Sequence, residues 1–123
     1  MKNQAYRMAL HYDFYGDMLT DRQKEFYDLY YNEDLSLAEI AENYGISRQG
    51  VRDVIVRAEA TMTEIEDKTH LIRRFFRMKD ELAAIDAAAD QLLDAVRQGS
   101  LSDDLAEGCA NTIKENTAKL KQE

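Results

Sequence analysis

The chain has 123 residues, a length that supports one modest hydrophobic core or a small module with an extension. Apolar residues make up 45%, which excludes a disordered chain, and a single cysteine excludes an intrachain disulfide. No apolar run approaches the roughly 20 residues that cross a bilayer, and no signal-peptide segment is present, so we expect a cytoplasmic protein. The net charge of −8 argues against a typical nucleic-acid-binding surface, because phosphate contacts need a basic face.

The chain is predicted to be almost entirely α-helical, because it contains no Pro and only five Gly. The first helix spans residues 3–19 and the second about 21–31, the latter started by a capping box of Thr20 and Gln23. The side chains that we expect to face the core from these two helices are Tyr6, Leu10, Phe14, Phe26, Leu29 and Tyr30. Their helical spacing is typical of a core rather than of a platform for stacking bases.

Two short helical segments then meet at a glycine. Ser36 and Glu39 form a capping box that starts a third helix, and Ser47 caps a fourth. Gly45 suits the left-handed position that ends a helix, because it has no Cβ to clash. The residues expected to hold the two helices together are Leu37, Ile40, Ala41, Ile46, Val51, Val54, Ile55 and Ala58. This pattern predicts a helix-turn-helix, whose second helix can enter the DNA major groove.

We define the recognition segment as the outward residues at the start of the fourth helix: Ser47, Arg48, Gln49, Arg52 and Asp53. Arg can pair with guanine and Gln with adenine through two hydrogen bonds, so the 47–57 helix is predicted to bind DNA. Arg57 and Arg22 would then reach phosphates. Residues 20–60 nevertheless carry five basic and nine acidic side chains. The alternative is therefore a helix-turn-helix fold kept for packing or for protein contact.

A second basic cluster lies further along the chain: Lys68, Arg73, Arg74, Arg77 and Lys79. These side chains either grip RNA or DNA phosphates or form a solvated helix face.

An apolar seam follows, with spacings of four and three residues in alternation: Leu71, Phe75, Met78, Leu82, Ile85, Ala89, Leu92 and Val96. Such alternation is typical of a coiled coil or helical bundle. Gly99 ends this long helix, and Ser100 or Ser102 caps a last one that carries Leu105, Cys109 and Ile113 on one stripe. The seam could pair with the last helix, form a homodimer, or do both. We therefore predict a helix-turn-helix domain over 1–68 and a helical hairpin over 69–123 that serves as a dimerisation element.

No catalytic or metal-binding pattern is present in the sequence. His11 and His70 are isolated, and no His or Cys lies at metal-ligand spacing. Cys109 on an apolar stripe is typical of a core residue. A Gly-rich phosphate loop and a nucleophile motif are both missing. We therefore expect a protein that is not an enzyme and that needs neither a metal nor a cofactor.

The runs from Leu19 to Tyr31, from Asp34 to Ala41 and from Gly45 to Val51 resemble the YlxM family of small bacterial proteins. The helix-turn-helix of that family is similar to region 4 of sigma factors, whose second helix reads promoter DNA. The resemblance implies an all-α regulatory protein linked to the signal recognition particle pathway, and it gives the recognition segment the DNA-reading role. The alternatives are an acidic adaptor that docks on a basic partner, such as the GTPase of the particle, or an RNA binder that uses the second basic cluster.

Overall fold

The computed structural model describes residues 5–122, which contain six α-helices and no β-strand. The helices are α1 (Ala5–Tyr15), α2 (Asp21–Tyr31), α3 (Leu37–Tyr44), α4 (Arg48–Thr69), α5 (Leu71–Gln98) and α6 (Asp103–Lys121). The predicted all-α class is confirmed, with a helix-turn-helix bundle followed by a long helix and a C-terminal helix. The chain divides into two compact units, of which the first ends at Ile72 and the second begins at Arg73.

The first helix is shorter than predicted. It ends at Tyr15, and a single 3-10 turn over Gly16–Met18 leads to the next helix. The predicted start at residue 3 lies outside the described residues.

The face that α1 buries also differs from the prediction. Met8, His11 and Tyr15 are buried, whereas Tyr6 is 78% exposed and Phe14 is 38% exposed. Met8 follows Tyr6 by two residues, which is about 200° around the helix, so the buried face lies nearly opposite Tyr6. Steps of three and then four residues keep the buried side chains on one side.

The predicted start signals of α2 and α3 are confirmed. The Thr20 hydroxyl accepts a hydrogen bond from the backbone N–H of Gln23 at 3.2 Å, and the Gln23 side chain accepts one from the Thr20 N–H at 3.0 Å. Ser36 and Glu39 form the same reciprocal pair at 3.0 and 3.2 Å. Each box satisfies two backbone donors that the first helical turn leaves unpaired.

Helices α1, α2 and α3 pack on α4 around a core rich in aromatic side chains. The residues buried in it are Met8, Tyr15, Leu19, Phe26, Tyr27, Tyr30, Ile40, Ala41, Val51, Ile55, Ala58, Met62 and Ile72. Tyr27 is also buried in this core, although it was not predicted to face inward. Its hydroxyl donates a hydrogen bond to the backbone carbonyl of Met8 at 2.6 Å. Leu29 is only half-buried. Of the α4 residues predicted to face the core, Val51, Ile55 and Ala58 are buried and Val54 is half-buried.

The turn of the helix-turn-helix is built on Gly45, which has φ 66°. Its backbone N–H and that of Ile46 both donate to the carbonyl of Ala41, which closes the end of α3. Helix α4 then runs for 22 residues and ends where His70 takes a left-handed conformation with φ 55°. The chain around the predicted boundary at residue 68 is therefore helical up to Thr69.

In the second unit, Gly99 has φ 67° and ends α5, while the Ser102 hydroxyl caps α6 by accepting from the Leu105 N–H at 3.1 Å. Cys109 is buried, as predicted, and its thiol donates to the Gln91 side chain of α5 at 3.4 Å.

The buried residues of α5 after Arg73 are Glu81, Ala88 and Ala95, none of which belongs to the predicted seam. Leu71, Phe75, Met78, Leu82 and Val96 are exposed, and Ile85, Ala89 and Leu92 are half-buried. The seam is therefore not covered over its whole length within the single chain. The buried positions 81, 88 and 95 are spaced seven residues apart, along a line of the helix that lies beside the seam rather than on it.

Candidate nucleic-acid interface

The first turn of α4 is organised by Ser47. Its hydroxyl accepts a hydrogen bond from the backbone N–H of Gly50 at 3.0 Å, and Ser47 is thereby the N-cap of the helix. A Cβ added at Gly50 would lie 3.2 Å from this same hydroxyl oxygen. Glycine is unfavourable inside a helix. It is explained at position 50 by the cap, because a side chain there would crowd the Ser47 hydroxyl.

Every side chain of the recognition segment is exposed to solvent. Leu37 of α3 joins Ser47, Arg48, Gln49 and Arg52 around one shallow depression. The structure therefore brings four of the five predicted residues together, and no local pattern predicts that Leu37 lies beside them. Asp53 lies one turn further along, where it accepts a hydrogen bond from the Gln49 amide at 2.9 Å.

The start of α4 differs in charge from those of α2, α3 and α6. The first turns of those three helices contain Asp21, Glu39, and Asp103 with Asp104, respectively. The first turn of α4 contains no acidic residue and begins with Arg48. Unpaired backbone N–H groups give a helix N-terminus a partial positive charge, and here no carboxylate within the turn neutralises it.

Within residues 5–122, neither Arg48 nor Arg52 takes part in an ion pair, whereas Lys24 pairs with Asp17 at 2.8 Å. The two guanidinium groups at the depression are thus available to an external acceptor. Their planar shape suits two parallel hydrogen bonds to a base edge or a phosphate.

The two arginines predicted to reach phosphates lie in different settings. Arg57 is exposed on α4, two turns after the helix start. Arg22 is exposed on α2, with its guanidinium 5.2 Å from the centre of the Phe26 ring. A cation over an aromatic face is held there by about 0.5–1 kcal/mol at an exposed site, which leaves Arg22 able to move to a phosphate.

The second basic cluster does not lie within one unit. Lys68 belongs to the first unit and pairs with Glu64 at 2.9 Å, while Arg73, Arg74, Arg77 and Lys79 belong to the second. The ammonium of Lys79 lies 5.5 Å from the centre of the Phe75 ring. All five side chains are exposed.

Polar groups inside the first unit tie the helix-turn-helix to the preceding helices. The Tyr31 hydroxyl donates to Glu59 at 2.5 Å, and Tyr15 donates to Glu66 at 2.5 Å. Burial and the neighbouring carboxylate raise the pKa of Tyr31 well above its usual range. These two bonds link α2 and α1 to α4, and they fix the helix that carries the recognition segment. Neither bond is predicted by the spacing of residues along the sequence.

His11 is buried, and its Nδ1 has no hydrogen-bond partner within the described part of the chain. Burial lowers the pKa of His11, with the positive charge of Arg7 acting in the same direction. The residues described by the structure contain no group of three or more His, Cys, Asp or Glu side chains that could hold a metal ion.

A family model described as "Putative helix-turn-helix protein, YlxM / p13 like" matches residues 2–101. The chain belongs to this UPF0122 family. The match includes the recognition segment and all of α5, and it ends before α6 begins. The description names a helix-turn-helix protein and no enzyme class, in agreement with the motif found at Gly45.

Several UPF0122 proteins are similar to this chain over most of their length. One from Desulforamulus reducens is 41% identical over 102 residues, which cover 83% of this chain and 84% of the relative. One from Acetivibrio thermocellus is 47% identical over 83 residues, or 68% and 71% of the two chains. One from Symbiobacterium thermophilum is 46% identical over 99 residues, or 74% and 92%. No helix in residues 5–122 combines the length and apolar character needed to cross a bilayer.

Proposed function

We propose that this UPF0122 protein is a cytoplasmic regulatory protein that binds DNA through the 47–57 part of α4 and acts on the signal recognition particle system. The observation that carries the DNA-binding proposal is the start of α4, where Arg48 and Arg52 are exposed without an ion pair among the described residues. Membership of a helix-turn-helix family supports it. The pathway is proposed from the resemblance to YlxM proteins.

The chemistry of the recognition segment is that of major-groove readout. Arg48 and Arg52 can each donate two hydrogen bonds to guanine, and the Gln49 amide can bind adenine. The hydrogen bond from Gln49 to Asp53 holds that amide in one orientation before DNA arrives. Arg57 and Arg22 would contact phosphates, which fixes the position of the helix without reading sequence.

The net charge of −8 does not by itself decide against DNA binding. At physiological salt, charges separated by more than about 8 Å of solvent are largely screened, so distant carboxylates act weakly on the recognition segment. The nearest turn carries Arg48 and no acid. We expect binding that is modest in affinity and steeply dependent on salt.

Two copies of the helix-turn-helix would read two half-sites, as is common for this motif. We propose that the predicted seam of α5 forms the homodimer interface. The support is that Leu82 and Val96 are 50% and 60% exposed in the single chain, although both are apolar. Exposed apolar stripes of this length are typical of protein interaction sites.

The test is a double substitution, Arg48→Ala with Arg52→Ala, measured against a randomised pool of 30-base-pair DNA duplexes by fluorescence anisotropy. We expect binding to be abolished while the far-ultraviolet circular dichroism stays unchanged. The matched control is Arg97→Ala with Lys114→Ala, which removes the same charge from exposed positions of α5 and α6. Equal loss in the control, or wild-type binding by the Arg48/Arg52 variant, would contradict the proposed reader.

A second candidate function is an acidic adaptor, favoured by nine acidic against five basic residues in 20–60. Here the helix-turn-helix is a scaffold, and its surface docks on a basic protein such as the particle GTPase. Binding to that purified GTPase, with none to duplex DNA at 50 mM salt, would support the adaptor. Binding to the particle RNA that is lost on replacing Arg73, Arg74 and Arg77 with Ala would instead assign RNA contact to the second basic cluster.

A further inference from the structure

Helix α5 presents an apolar stripe to solvent over most of its length. Phe75, Met78 and Leu82 are exposed in its first half, and Val96 is exposed near its end. Between them, Ile85, Ala89 and Leu92 are half-buried on the same face. Because these residues alternate at spacings of three and four, they form a single seam that another helix could cover.

The charges of α5 are divided between its two halves. Residues 73–79 contain four basic side chains and no acidic one. Residues 80–96 contain five acidic side chains and no basic one. A helix with this distribution is complementary to a second copy of itself that runs in the opposite direction, since each basic part then faces an acidic part.

We propose that α5 pairs with α5 of a second copy of this chain in an antiparallel arrangement. This inference rests on the homodimer in the proposed function and adds the direction and register of the pairing. The register places Leu82 opposite Ile85 of the second copy at the two-fold axis. Phe75 then lies opposite Leu92, and Met78 opposite Ala89, so that larger side chains meet smaller ones.

The same register places opposite charges beside the seam. Lys79 and Asp86 occupy equivalent positions along one flank of the stripe, seven residues apart. In the antiparallel pair, Lys79 of one copy approaches Asp86 of the other on each side of the two-fold axis. A parallel pair would instead bring Arg74 of one copy next to Lys79 of the other, and like charges repel.

Disulfide trapping tests the direction of the pairing. The Leu82→Cys and Ile85→Cys proteins are each prepared with Cys109→Ala, mixed in equal amounts and oxidised with copper phenanthroline. The antiparallel register predicts that the mixed 82–85 disulfide exceeds either same-residue disulfide at least fivefold, as measured by mass spectrometry. Same-residue disulfides in excess would overturn the antiparallel direction while leaving the homodimer itself standing.

Charge reversal provides the second measurement. Lys79→Glu alone and Asp86→Lys alone should each raise the dimer dissociation constant at least fivefold in analytical ultracentrifugation at 50 mM salt. The double variant should return to within twofold of the unmodified chain. Failure of the double variant to recover overturns the register. A chain that is monomeric at 100 μM overturns both this inference and the proposed homodimer, whereas loss of DNA binding in a stable dimer would leave the inference intact.

Discussion

The two units of this protein bury different kinds of side chain. The first unit encloses large residues such as Phe26, Tyr27 and Ile55, all of them at most 1% exposed. The second unit buries Ala88, Ala95 and Cys109, while Leu82 and Val96 remain in solvent. Burying a large apolar side chain contributes about 1.5–3 kcal/mol, whereas an alanine methyl contributes far less. The first unit therefore has its own core of large side chains, whereas large apolar side chains of the second unit remain exposed.

The largest effect that this contrast predicts comes from truncating one core residue. Ile55→Ala removes a fully buried side chain of α4 and should lower the free energy of unfolding by about 3 kcal/mol. The matched variant Leu82→Ala should lower the free energy of unfolding by less than about 1 kcal/mol at a concentration where the chain is monomeric, because little buried apolar area is lost. Denaturant titration at low protein concentration measures both.

The near-ultraviolet circular dichroism of tyrosine separates the two units in that experiment. All seven tyrosines lie within residues 1–44, so this signal follows the first unit alone. Ile55→Ala should shift the midpoint of the tyrosine signal, and Leu82→Ala should leave it in place. If Leu82→Ala were as costly as Ile55→Ala in the monomer, the seam would be covered within the chain and the contrast would be wrong.

A smaller effect is expected from the two glycines that end α3 and α5. Gly45 and Gly99 have φ values of 66° and 67°, and a Cβ at either position would meet no atom within 4 Å. Alanine at either site should cost about 1 kcal/mol, because the left-handed conformation strains a residue that has a Cβ. Gly45→Ala should shift the unfolding midpoint that the tyrosine signal reports. Gly99→Ala should shift only the midpoint that the helical signal at 222 nm reports.

Gly108→Ala is the control for the glycine pair. Gly108 lies inside α6 without a left-handed backbone, and a Cβ there would also meet open space. Alanine should raise the stability of the helix there by up to about 1 kcal/mol. A loss of stability at Gly108 similar to that at Gly45 would show that backbone conformation is not the cause.

The smallest predicted effect is the dependence of the first unit on pH. Because burial lowers the pKa of His11 below its usual 6.5, the unfolded chain takes up a proton more readily than the folded one. The stabilising effect of neutral His11 is therefore complete above pH 6.5 and is lost as the pH falls toward the lowered pKa. His11→Leu should flatten the tyrosine-monitored stability between pH 7 and 5.

His70→Asn is the control for this titration, because His70 is exposed at the end of α4 and asparagine tolerates the left-handed conformation found there. This variant should keep the pH dependence of the unmodified chain. If the pH dependence of stability survives in His11→Leu but disappears in His70→Asn, the effect belongs to His70 and the prediction is wrong.

The elements with strong local signals were predictable residue by residue. Thr20 with Gln23 and Ser36 with Glu39 form their capping boxes, and Gly45 takes the left-handed turn. These features depend on contacts between residues three or four positions apart, so the order of the residues contains all the information needed. The all-α class and the helix-turn-helix follow from them.

The faces of α1 and α5 were not predictable in the same way. Both helices carry apolar residues on more than one side, and spacing alone selected Tyr6 on α1 and Leu82 on α5, which are exposed. Burial of Met8 or Ala88 depends on which neighbour approaches and how closely, and that is a property of distant parts of the chain. The bonds from Tyr31 to Glu59 and from Tyr15 to Glu66 were missed for the same reason.

By itself, the sequence determined where α2, α3 and α4 start and where α3 and α5 stop, and that Arg48 and Arg52 follow a capped turn, because these are short-range matters of backbone geometry. Only the tertiary structure decided which faces of α1 and α5 are buried, that Leu37 lies beside the recognition segment, and that Leu82 and Val96 of the α5 seam stay exposed. Packing is a competition among all surfaces of the chain, and its outcome on α5, where Ala88 is buried and Leu82 is exposed, depends on residues far away in the sequence.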